Sequence, residues 1–246
     1  MIIRLTDLIF TGILVAGLAE SPITSAQVAT NQAPSGLEPS DPEFGKPFPT
    51  FYRINDHIQS PLFRAIMAGN TTNAVAMIRA GTNVNECIEV GVTPLMVAAS
   101  MGQASVVEAL LDKCAEVTAT NRQGRTALML VAIQGRSSLM QMLAKQGSVV
   151  NQRDSLGRTP LILSVMSGQP RAVEVLLNAG AQIDAQDGRG KTALNWAATS
   201  NLGPIVELLI ARGANPAVKD SKGKTAQDYA RVLGNTNMVE RLKLNR

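Results

Sequence analysis

Residues 190–201 read "GKTALNWAATSN", and the stretch admits two accounts. With the five residues before it, it makes "AQDGRGKT" (185–192), which fits the loose form of a phosphate-binding loop: a small residue, four of any kind, then Gly190-Lys191-Thr192. Such a loop wraps phosphates in backbone N–H groups, reaches them with the Lys and holds Mg²⁺ with the hydroxyl. In the second account Thr192 caps a short helix that Asn201 closes. The rest of the chain decides. "TPLMVAAS" begins at Thr93, "TALMLVAIQG" at Thr126, "TPLILSVMSG" at Thr159 and "TAQDYARVLG" at Thr225, each a step of 33 residues, and one step back gives "SPLFRAIMAG" from Ser60. Six units in register are the signature of a repeat architecture.

Each unit carries the same punctuation. Ser60, Thr93, Thr126, Thr159, Thr192 and Thr225 place a hydroxyl at a helix start, where it accepts the unpaired N–H groups. Pro61, Pro94 and Pro160 follow at the first helical position, where a missing N–H costs nothing. Gly69, Gly102, Gly135, Gly168, Asn201 and Gly234 end that helix in the left-handed conformation. A second helix follows, as in "VVEALLDK", "LMQMLAKQ", "AVEVLLNA" and "IVELLIAR", with Glu108, Gln141, Glu174 and Glu207 facing outward. Gly81, Gly147, Gly180 and Gly213 close it, and a polar hairpin leads to the next Thr. Gly190-Lys191-Thr192 therefore shares a slot with Gly124-Arg125-Thr126, Gly157-Arg158-Thr159 and Gly223-Lys224-Thr225. A phosphate loop follows a buried strand, whereas "AVEVLLNAGAQI" is a helix and turn, so a hairpin is predicted.

The pattern resembles the ankyrin repeat, on the "TPL"/"TAL" openings, the "VVEALL"-type second helices and turns such as "GAQIDAQDGRGKT" and "GANPAVKDSKGKT". The resemblance implies an all-α solenoid of about six helix-turn-helix units with short β-hairpin-like loops over residues 55–246. It also implies a module that binds protein partners through hairpin tips and the concave first-helix surface. Two departures stand out. The family's His after "TPL" is replaced by Phe63, Met96, Met129, Ile162, Asn195 and Asp228, so its loop-to-helix hydrogen bonding is not expected. Cys114 occupies a slot filled elsewhere by Gly, at a left-handed cost on the order of 1 kcal/mol.

Ahead of the repeats, residues 1–26 have the layout of a secretory signal peptide. Arg4 supplies the charge, "LIFTGILVAGLA" (8–19) the apolar run, and Thr24 and Ala26 the small residues of a cleavage site after Ala26, with Ala19 as the second choice. The run is shorter than the roughly 20 residues a membrane span needs, so no stable span is expected after cleavage. Residues 27–54 are expected to be a linker, with Pro34, Pro39, Pro42, Pro47 and Pro49 and little to bury. The expected location is the periplasm or the medium. A net charge of +4 over 246 residues is too dilute to imply nucleic acid.

The residues offer little chemistry. His57 is the single His, and no Cys/His cluster has metal-ligand spacing. No catalytic, metal or cofactor site is expected. Cys87 and Cys114 fall in different parts of adjacent units, too far apart for a bridge, with Cys87 in a loop and Cys114 a small buried residue. Asn70-Thr71-Thr72 is a glycosylation sequon, relevant only in a eukaryotic secretory pathway.

Carried onto this chain, the family's contact slots fall at Val90, Val92, Met101, Arg122, Arg125, Ile133, Leu156, Arg158, Met166, Arg189, Lys191, Lys222 and Lys224. Arg125, Arg158, Lys191 and Lys224 form a column expected to be exposed, either to meet an acidic partner surface or to keep the face solvated. The apolar slots concentrate in the earlier units. Trp196 shares a slot with Tyr229 and is expected to pack between first helices, with an aromatic anchor as the alternative. The function expected is a monomeric, non-enzymatic, exported protein-binding module. The alternatives are a secreted effector binding a host protein and a nucleotide-dependent enzyme built on Gly190-Lys191-Thr192.

Overall fold

The computed structural model describes residues 60–88, 91–145 and 150–243. The signal segment, the linker, His57, Val90 and Gly147 lie outside them. The described residues form twelve helices in six successive pairs: α1 (Pro61–Met67) and α2 (Thr71–Arg79), α3 (Pro94–Met101) and α4 (Ala104–Asp112), α5 (Ala127–Gln134) and α6 (Ser137–Ala144), α7 (Pro160–Met166) and α8 (Pro170–Asn178), α9 (Ala193–Thr199) and α10 (Gly203–Ala211), α11 (Ala226–Val232) and α12 (Thr236–Lys243). Each helix packs on its pair-mate, first helices stack on first helices and second on second. The expected all-α repeat solenoid is the fold of these residues.

The punctuation works as the sequence demands. All six hydroxyl caps, from Ser60 to Thr225, accept the N–H three residues on. Asn201 adopts φ 56° where the other units use Gly. Cys114 is left-handed at φ 59°, as its glycine slot requires, but it is exposed rather than buried, because that slot closes a second helix at the surface. Cys87 is exposed too.

The core is built in registered layers. Leu95, Leu128, Leu161 and Leu194 occupy one slot of successive first helices and are all buried, as are Ala99, Ala132, Val165 and Ala198. In the last unit these slots hold Gln227 and the exposed Arg231, whose guanidinium donates to Asp228 at 2.9 Å. A polar outer face of this kind closes a repeat stack to solvent. Among the described residues no helix is long and apolar enough to cross a membrane.

Candidate functional site: the hairpin and first-helix face

Four hairpins repeat one motif: "NRQGRT" (121–126), "DSLGRT" (154–159), "DGRGKT" (187–192) and "DSKGKT" (220–225). Their first residue organises each turn. Asn121 Oδ1 accepts from Gln123 N and Arg125 N, both at 3.0 Å. Asp154 Oδ1 accepts from Leu156 N at 3.0 Å and Arg158 N at 2.8 Å. Asp187 does the same for Arg189 and Lys191, and Asp220 for Lys222 and Lys224, all at 2.9 Å. A short polar side chain that satisfies two backbone donors makes a tight turn without help from its neighbours. This column carries the hairpins, and sequence reasoning passed over it. Its signal was the recurrence of Asn121, Asp154, Asp187 and Asp220 at 33-residue steps.

The hairpins also bond to one another. Ser155 N donates to Gln123 O at 3.0 Å, Gly188 N to Leu156 O at 2.9 Å and Ser221 N to Arg189 O at 3.0 Å. Gly157 and Gly190 make this approach possible. Both have positive φ, and a Cβ on either would meet the next hairpin's backbone nitrogen at 2.7 and 2.8 Å. Gly223 also has positive φ but would meet nothing within 4 Å.

The second carboxylate oxygen of each Asp is shared out according to the first helix that follows. In the fourth unit the helix offers Leu163, with no donor, so Asp154 Oδ2 takes Arg158, with Nε at 2.8 Å and Nη2 at 2.7 Å. Arg125 Nε approaches the same oxygen at 3.8 Å. In the fifth unit Trp196 Nε1 donates to Asp187 Oδ2 at 2.8 Å, and in the sixth the Tyr229 hydroxyl donates to Asp220 Oδ2. The Lys191 ammonium then lies between the rings, 4.4 Å from the Trp196 centroid and 4.2 Å from that of Tyr229. Burial opposes ionisation of Asp220. The Tyr229 hydroxyl, the Lys224 and Lys222 backbone N–H groups and the Lys191 charge outweigh it and hold the carboxyl below its ordinary range. Asp228 is also lowered, by the backbone and hydroxyl of Thr225 and then by Arg231. Together Thr192–Asn195 and Thr225–Asp228 form capping boxes, so in the last two units the replacements for the family's His bind the helix start instead.

This geometry corrects the expected exposed column. Arg158 is 3% exposed and Lys191 7%, and Arg125 is likewise buried; the carboxylates and rings of their own and adjoining units cover them. Only Lys224 of the four is exposed. Val92 and Met166 are buried in the core rather than presented to a partner. Trp196 is buried, in keeping with packing and not with a surface anchor. Arg122, Arg189 and Lys222 are exposed, and Ile133 is half-buried. The nucleotide-loop candidate has its parts engaged elsewhere. Lys191 N donates to Asp187, its ammonium sits on two rings, and Thr192 caps α9. Among the described residues no three His, Cys, Asp or Glu side chains are placed to hold a metal.

Four large hydrophobic side chains are left exposed among the described residues. They are Leu156 at a hairpin tip (42% exposed), Met101 at the end of α3 (37%), and Val232 (74%) and Leu233 (40%) at the end of α11. Sequence reasoning missed the last two, because it placed the apolar slots in the earlier units.

Comparison with known families matches residues 49–121 and 106–187 to ankyrin repeats (3 copies), and residues 168–230 to ankyrin repeats (many copies). The chain belongs to the ankyrin-repeat family. No curated protein matches it significantly. Ankyrin repeats are protein–protein interaction modules, and the hairpin and first-helix surface is where this one leaves its apolar groups unburied.

Proposed function

We propose that this ankyrin-repeat chain is a non-enzymatic, exported module that holds a protein partner against its hairpin tips and first-helix ends. One observation carries the binding surface: Met101, Leu156, Val232 and Leu233, the exposed large hydrophobics among the described residues, all lie there, while the second helices present polar groups outward. Large apolar groups held exposed at hairpin and first-helix ends are available for contact with a partner. Export is supported by the signal layout of residues 1–26. The engagement of Lys191 and Thr192 within the fold supports a non-enzymatic role.

Affinity capture from a periplasmic extract with the full chain tests the role. Recovery of one protein by the parent, and its loss with the surface variant Met101→Asp/Leu156→Asp/Val232→Asp, is expected. No recovery above background by the parent would overturn the proposal. Fractionation of cells and medium tests export. The mature chain is expected to begin after Ala26 and to be absent from the cytoplasm, and its location separates a periplasmic module from a secreted effector.

A further inference from the structure

We infer that Asp187-Gly188 is a self-modification site, at which the Gly188 amide closes onto the Asp187 carboxyl and leaves an isoaspartyl linkage. Packing of the fourth hairpin against the fifth holds that reaction off in the folded chain. The inference does not depend on the partner-binding role proposed above.

The sequence supplies the reactive pair. Asp187-Gly188 is the chain's single Asp-Gly step, and there is no Asn-Gly. A glycine after an acid lets its backbone nitrogen turn toward the side-chain carboxyl, because no Cβ obstructs it. Gly188 N then bonds to Asp187 Cγ, and the amide proton leaves with the carboxyl hydroxyl as water. The product is a five-membered succinimide. Solvent water adds to the ring carbonyl that was the Asp187 main-chain carbon and breaks its bond to Gly188 N, which takes up a proton. The mass is restored, but the chain now runs through Cγ and is longer by a methylene.

The fold holds both reacting groups. Gly188 N donates to Leu156 O at 2.9 Å, so the fourth hairpin fixes the proton and the plane of the attacking amide. Asp187 is only 7% exposed. Its Oδ1 accepts from Arg189 N and Lys191 N at 2.9 Å, and its Oδ2 from Trp196 Nε1 at 2.8 Å. A carboxylate pinned at both oxygens does not swing its carbon onto Gly188 N. Gly157 permits the close approach, since a Cβ there would stand 2.7 Å from Gly188 N and 3.3 Å from the Asp187 carbonyl carbon. A Cβ on Gly188 would in turn stand 2.9 Å from Leu156 O. The contact that shuts the site therefore also favours glycine in it. Asp154-Ser155 and Asp220-Ser221 share the tie, with Ser155 N bonded to Gln123 O and Ser221 N to Arg189 O, both at 3.0 Å. There a side chain follows the acid and slows closure.

The change runs one way. The added methylene displaces the carboxylate from Arg189 N and Lys191 N, so a modified hairpin lacks the bonds that make its turn. A chain whose fifth hairpin has opened and reacted does not close it again.

The test incubates the full chain near neutral pH, native and in urea, and maps isoaspartate by peptide mass spectrometry and methyltransferase labelling. In urea, isoaspartate is expected at position 187 ahead of 154 and 220. In the native chain it is expected at least about tenfold more slowly, as for a site reached only through opening. Gly157→Ala and Trp196→Phe are each expected to raise the native rate several-fold with helical circular dichroism retained. Gly81→Ala, which carries the same positive-φ strain in open space in the first unit, is expected to raise it less than either. Should a variant lose its helices, the parent in sub-denaturing urea decides, with the lesion expected to rise in step with deuteration of the Gly188 amide. No isoaspartate at 187 in urea removes the site. Equal native and unfolded rates, or variants no faster than Gly81→Ala, remove the guard, as does a lesion that rises out of step with deuteration.

Discussion

The fifth and sixth hairpins, "DGRGKT" and "DSKGKT", are nearly the same sequence in the same slot, yet they hold their lysines differently. Lys191 is enclosed between Trp196 and Tyr229, whereas Lys224 touches only Tyr229 and stays exposed. Gly190 abuts the backbone of the next hairpin and Gly223 abuts nothing. What separates them is a following unit. An interior charge in this slot is part of the packing, and the same charge in the sixth unit stays exposed.

Four experiments sharpen or break that contrast. The largest effect is expected from Arg158→Ala, which leaves the buried Asp154 carboxylate without its close cation. Removing one partner of a buried pair costs about 3–5 kcal/mol, measurable by urea denaturation; a loss below 1 kcal/mol would show that the interior column is structurally idle. Next comes the glycine pair. Gly190→Ala meets both the positive φ and the Ser221 nitrogen, for a combined cost of about 2–3 kcal/mol. Gly223→Ala meets only the conformational penalty, about 1 kcal/mol. Equal losses would mean that the hairpin contacts are weaker than their geometry implies.

Lys191→Met and Lys224→Met follow. The first removes a cation held over two rings and is expected to cost about 1–2 kcal/mol. The second is expected to stay within about 0.5 kcal/mol, and thermal melts of the two side by side decide it. The smallest effect concerns acid. Asp220 titrates below its ordinary value of 3.8 in the folded chain. It thus contributes stability that is fully present above that value and lost as pH falls through the lower folded value. Tyr229→Phe removes a hydrogen bond that lowers it, so the acid unfolding midpoint is expected to move up slightly. A midpoint that moves down would contradict the assigned cause.

The solenoid was legible because its signals are local. A hydroxyl cap, a closing Gly and an apolar helix face are each fixed by a few neighbouring residues, and the 33-residue step multiplies them. Even Asn201 and Cys114 took the left-handed conformation that their slots demanded. The site was less legible because burial of a hairpin side chain depends on residues a whole unit away. Lys191 is covered by Tyr229, from the next unit, and Arg125 approaches Asp154, also from the next. Trp196 and Tyr229 visibly share a slot in the sequence, but nothing local ties either ring to the Asp nine residues earlier that each one bonds. Val232 and Leu233 were overlooked for a related reason. Apolar residues at the end of α11 look like core until the polar Gln227 and Arg231 in the same helix mark it as differing from the first helices before it.

The bonds between hairpin tips also bear on how the chain yields to force and to solvent exchange. The fourth and fifth tips are each tied to a hairpin on either side, whereas among the described residues the sixth is tied only to the fifth, through Ser221. Amide deuteration and mechanical peeling are therefore expected to begin in α11 and its hairpin and travel inward, since opening free energies are lowest where the fewest ties must break.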